Sequence, residues 1–177
     1  MKKSIKSNLL LVTLLLTVFA TMAQAPPQPR YKDVVVENPE AEADMKVVGD
    51  FVNSLTSGDL DKAKSLLADK YKGHGPAPVD STTTEQMIST WKENYKTQSN
   101  RKVGFVTQTF RVLSGNLKGD WVSLWGDYSF TQNGKNVSFP FQYTARVSDG
   151  KIDTDRIYYD RMYILQALGY KVTPPAM

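Results

Sequence analysis

Two side chains of this sequence could do proton chemistry. His74 is the single histidine of the chain and lies in the segment Tyr71-Lys72-Gly73-His74-Gly75-Pro76. An imidazole can donate or accept near neutral pH; between two glycines it reads equally as a solvent-facing loop residue. Asp160 ends the run from Gly150-Lys151-Ile152 to Tyr158-Tyr159-Asp160, and the short apolar stretch Leu165-Gln166-Ala167-Leu168-Gly169 follows. A carboxyl in apolar surroundings has a raised pKa and can take up and return a proton. Asp160 would also serve well as the cap of a helix starting at Arg161. Arg156 could pair bidentately with an anionic ligand if it pointed into a cavity. The flanking Asp153 and Asp155 favour an outward or salt-bridged arginine.

Composition removes other chemistries. The chain has no cysteine, so there is no disulfide framework, thiolate nucleophile or sulfur-ligated metal. One histidine with no carboxylate at helical spacing does not make a metal site. We expect no metal and no cofactor.

The first residues read as a secretory signal. Met1 to Lys6 is basic, Leu9 to Ala20 is apolar, and Ala23-Gln24-Ala25 is a cleavage site. The apolar run is shorter than the ~20 residues of a membrane span. The sequence therefore predicts cleavage after Ala25, export to the periplasm or beyond, and no stable membrane insertion afterwards. The formal charge of +4 for the whole chain falls to +1 once Lys2, Lys3 and Lys6 are removed. No dense basic run survives to suggest nucleic acid as a partner.

The elements that must position these residues follow from periodicity. Residues 26–38 read as a Pro-rich flexible linker, 39–172 as one domain and 173–177 as a tail. Asn38 and Pro39 form a helix start, followed by Ala41, Met45, Val48, Val52 and Leu55 on one face. Gly58 ends that helix. Asp59 caps a second, with Leu60, Ala63, Leu66 and Leu67 inward. Thr82 and Glu85 fit a capping box before a third helix carrying Met87, Ile88, Trp91 and Tyr95. From Arg101 the period becomes two. Strands are expected over 101–112, 121–131, the alternating run from Val137 to Val147, and 151–160. Asn133-Gly134 and Asp149-Gly150 supply the turns. Pro140, inside a strand, marks a bulge, a bend or an edge. Helices first and an antiparallel meander afterwards give an α+β domain with the helices on one face of the sheet.

The order of these pieces resembles the SnoaL-like polyketide cyclases of the nuclear transport factor 2-like superfamily. Helix-Gly58-Asp59-helix, the His74 loop, the Gly150 to Met162 strand and the Leu165 to Gly169 helix carry the resemblance, which covers most of Val47 to Leu168. It implies a cone-shaped fold, a strongly curved antiparallel sheet closed by the N-terminal helices. It implies Asp160 as the acid/base of a cofactor-independent ring closure and His74 as the polar partner at a carbonyl oxygen. It also implies a homodimer through the open face of the sheet. The chain departs from the family where a glutamate and a tryptophan often stand, at Thr154 and Arg156.

Most of the aromatic residues should be core, with a minority lining a pocket. Trp91, Trp125, Tyr158 and Arg156 are the candidate ligand-binding residues. The expected function is an exported domain that binds a small, largely apolar or carbonyl-bearing ligand in the cone, as a cyclase, isomerase or lyase. The alternative is a non-catalytic ligand-binding protein of the envelope or a homodimeric assembly module.

Overall fold

A computed structural model describes residues 29–77, 79–171 and 173. The expected signal sequence, the start of the expected linker and most of the expected tail lie outside the described residues. The chain divides into two units, 1–33 and 34–177; the second holds the fold described below. No helix among the described residues is long and apolar enough to cross a membrane.

Four helices follow a single helical turn at Tyr31–Val34: α1 (Ala41–Ser57), α2 (Leu60–Ser65), α3 (Thr84–Thr97) and α4 (Arg161–Ala167). Seven strands form one sheet: β1 (Val35–Val36), β2 (Leu67–His74), β3 (Ser81–Thr82), β4 (Ser99–Val112), β5 (Gly119–Gln132), β6 (Lys135–Ser148) and β7 (Lys151–Tyr159). The strand order is β1-β4-β5-β6-β7-β2-β3. The expected meander is β4 to β7, all antiparallel. The α+β class and the curved, mostly antiparallel sheet are as expected.

Several local readings shift. Val35 and Val36, inside the expected linker, pair with Val112 and Arg111 of β4. Asn38 does not cap α1 directly. Its Oδ1 accepts from the Glu40 N–H at 2.9 Å, while its Nδ2 donates to Asp44 and to Thr109 of β4. The asparagine is thereby buried as a clasp between helix and sheet. The capping box belongs to Thr83 and Gln86, one residue beyond the expected pair. The second helix stops at Ser65, and Leu67 begins β2, which runs parallel to β7. Gly58, at φ +101°, and the Asp59 cap on Lys62 N–H stand as read.

The core lies between the helices and one face of the sheet. Val48, Phe51 and Leu55 of α1 are buried there with Val122, Leu124, Phe130, Val137, Phe139, Phe141, Tyr143 and Ile152. In β6 each second residue from Val137 to Val147 is buried, as the period of a half-solvated strand requires. Pro140 pairs with Asp127 of β5 but lies beyond Tyr159, where β7 ends. It therefore sits at a local edge, where a missing N–H is harmless.

β4 and β5 leave no room for a side chain at Gly126, opposite Phe105 of β4. A Cβ built there would overlap the Gly104 carbonyl oxygen and come within 2.7 Å of Phe105 Cβ. Gly126→Ala is expected to lower stability by about 1–3 kcal/mol through overpacking, read as a reduced urea midpoint. An unchanged midpoint would show that the sheet can open there without cost.

Candidate functional site

Two acids are buried among the described residues, Asp44 of α1 and Asp155 of β7, and Asp155 is the one on the sheet. Along β7 the residues Asp155, Ile157 and Tyr159 face the core, and the register sets them opposite Ala145, Tyr143 and Phe141. Asp155 is only 4% exposed. Its Oδ2 accepts from the Tyr71 hydroxyl at 2.5 Å and from the Tyr143 hydroxyl at 2.7 Å. The His74 backbone N–H reaches Oδ1 at 3.4 Å. Burial pushes the Asp155 carboxyl above the usual carboxylate range, against the opposing pull of the two phenols and the His74 N–H. Burial, reinforced by the Asp155 charge, drives both tyrosines far above their ordinary value.

This cluster can act only by moving. Both hydroxyls are committed to the carboxylate, and Tyr143 also stacks on Phe51 with ring centroids 6.0 Å apart. Gly73 is needed beside it, since a Cβ there would sit 2.5 Å from the Tyr71 hydroxyl and 3.0 Å from Asp155 Oδ1. None of the three best-formed depressions on the described surface is lined by Asp155, Tyr71 or Tyr143. Sequence reasoning passed over all three residues. The available signal was a carboxylate at an inward position of a period-two strand, in step with Ile157 and Tyr159.

Asp160 lies elsewhere and does another job. It is exposed, follows β7 and caps α4, with its Oδ1 accepting from the Tyr163 N–H at 2.9 Å. Asp160, expected as the acid in an apolar cone, thus stands exposed at the cap of α4, and the inward carboxylate of β7 is Asp155, five residues earlier. His74 ends β2. Tyr71 and Gly73 are buried and Lys72 is exposed, so alternation turns Lys72 and His74 to the face away from the core. On that face His74 is in register with Arg156. Arg156 is exposed and outward, while the flanking Asp153 pairs with Arg146 at 2.9 Å.

The four expected ligand-binding residues divide between the two faces. Trp91 is on the core side, packed on Tyr95 and edge-on to Tyr128. Burial raises the Tyr128 hydroxyl to about 12, and that hydroxyl donates to Gln98 Oε1 at 3.0 Å. Trp125 and Tyr158 are on the open face, 49% and 46% exposed. The register aligns Trp125 with Gln142 and Gln142 with Tyr158 in one row across β5, β6 and β7. These three line a shallow depression of ≈ 550 Å³ with Asp127 and Pro140. Among the described residues, no group of three or more His, Asp or Glu side chains is gathered to hold a metal ion.

The Asp155 cluster generates a test. Tyr71→Phe is expected to cost about 1–3 kcal/mol, because one buried acceptor loses a donor. The pH dependence has a fixed sign. A carboxyl whose folded pKa is raised contributes its stability below the unfolded value of about 3.9 and loses it as pH rises through the folded value. Asp155→Asn, which cannot ionise, should therefore be less costly at neutral pH than near pH ~4. Urea unfolding at the two pH values checks this; a larger cost at neutral pH would contradict it.

No family model and no curated protein matches the chain. Solved structures do. A hypothetical protein from Catenulispora acidiphila with a ketosteroid isomerase-like fold, in complex with trimethylamine, is 19% identical. That match covers 73% of this chain and 98% of the other, with a TM-score of 0.57. An LEH-like epoxide hydrolase from M. tuberculosis is 19% identical over 73% of this chain and 92% of its own, with a TM-score of 0.53. IdmH, a putative polyketide cyclase from Streptomyces antibioticus, is 17% identical over 72% and 99%, with a TM-score of 0.58. At such identities the likeness concerns the fold alone: the chain shares the fold of these solved structures, which the first of them carries as a ketosteroid isomerase-like fold.

Proposed function

We propose that the protein is an exported binding module without catalysis of its own, holding a small flat ligand, apolar or carbonyl-bearing, on the open face of its sheet. The observation that carries this is the row Trp125, Gln142 and Tyr158, with both aromatics about half-exposed in one depression. Tryptophan and tyrosine offer large apolar contact, and the Gln142 amide offers N–H donors to a carbonyl oxygen. The depression is shallow and suits stacking rather than enclosure. The absence of catalysis is supported by the Asp160 cap and by the commitment of both phenols to Asp155. Export is supported by the basic, apolar and Ala-x-Ala run of the first 25 residues. Solved proteins of this fold include an LEH-like epoxide hydrolase and a putative polyketide cyclase, so the fold does not choose among activities.

Self-association through the same face is a second reading, and one observation favours it. Asp127 lies on one side of the Trp125 row and Arg156 on the other. A two-fold axis through that row would bring each onto its opposite charge, as an isologous interface requires.

The test is a panel of flat carbonyl compounds followed by NMR. Binders should shift the Trp125 and Tyr158 signals and be recovered chemically unchanged. Trp125→Ala should weaken binding at least about tenfold, and Asp160→Asn should leave it intact. Turnover that disappears in Asp160→Asn would contradict the proposal. For the second reading, sedimentation equilibrium should find a dimer that Trp125→Arg dissociates; a monomer at high concentration contradicts it.

A further inference from the structure

The geometry points to a planar carboxylate as the ligand class of the open face, its ring stacked on Trp125 and Tyr158 and its acid turned toward Arg156. This rests on the reading of that face as the binding surface.

Charge placement carries the inference. Arg156 precedes Tyr158 by two residues on β7, so it stands on the same face about 7 Å along the strand. Its register partners are Thr144 of β6 and His74 of β2. Lys72 stands one row farther, paired with Thr154. Basic side chains thus flank one side of the aromatic row. On the other side Asp127, opposite Pro140, lines the depression.

The other acids of this region are taken. Asp153 is held by Arg146, and Asp155 faces the interior under two tyrosine hydroxyls. Among the described residues Arg156 makes no ion pair. The potential across the aromatic row therefore runs from negative at Asp127, inside the depression, to positive at Arg156, one row beyond Tyr158. A ligand with a flat apolar body and one carboxylate has a single favoured orientation there. The guanidinium fork matches a carboxylate with two parallel N–H donors, and Asp127 repels the acid from the opposite end.

The probes are naphthoate and its uncharged counterpart naphthamide, titrated separately into the protein while the Trp125 indole N–H signal is followed. Naphthoate should bind roughly threefold to tenfold tighter than naphthamide at low ionic strength, and added salt should narrow the gap. Arg156→Gln should abolish the difference between the two probes. The residue is exposed, so the variant should fold. Arg156→Lys should keep part of the preference. Equal binding of both probes, shifting Trp125 alike, would overturn the carboxylate class and leave the open-face reading standing. No shift of Trp125 by either probe would overturn both. A preference for naphthoate that survives Arg156→Gln would place its recognition elsewhere and also overturn the inference.

Discussion

The Asp155 carboxylate is the interaction on which the rest of this structure depends. It accepts the hydroxyls of Tyr71 and Tyr143 on one oxygen, tying β2 and β6 to β7 inside the core. A buried carboxylate left without donors costs several kcal/mol, so the three residues stand or fall together. The clasp also fixes β2 as a parallel neighbour of β7, with Gly73 opposite Asp155 and His74 opposite Arg156. A hydrogen-bond cluster in the interior thereby decides which side chains meet on the exterior. If β2 slipped by one residue, every side chain on it would change face. Tyr71 would leave the core and His74 would enter it.

The same constraint explains why the interior is a poor place for chemistry. A general acid must present its proton to a substrate within hydrogen-bond reach. Asp155 already accepts from two phenols, and both phenols are spent on it. The open face differs in each respect. Its aromatics are half-exposed, its amide is unshielded, and its charges are arranged on opposite sides of one row. The sheet separates a satisfied polar interior from a half-exposed aromatic exterior, and the proposed recognition lies on the exterior.

The parts legible in the sequence were those fixed by local pattern. The strands from β4 to β7 follow from period-two alternation and from the Asn133-Gly134 and Asp149-Gly150 turns. Gly58 and Asp59 mark a helix junction by residue type alone. The helix starts slipped because neighbouring residues compete for one role: Thr82 and Thr83 are both able caps, and only the tertiary setting selects Thr83. β2 was not legible. Asp69, Lys70 and Lys72 interrupt its pattern, and its partner lies about eighty residues away in sequence, so the parallel pairing is decided by the core. Asp160 drew notice as a strand-end carboxylate, where capping and catalysis look alike in sequence. Asp155 was masked by the charges around it, although an inward Asp155 is what an outward Arg156 demands.

The most direct test of the account is a crystal structure of the protein with a bound flat carbonyl compound. We predict the ligand on the open face, against Trp125 and Tyr158 and within reach of the Gln142 amide, with the Tyr71 and Tyr143 hydroxyls still on Asp155. A ligand seated between α1 and the sheet, with either tyrosine turned from Asp155 to the ligand oxygen, would contradict the account and return the chemistry to the interior.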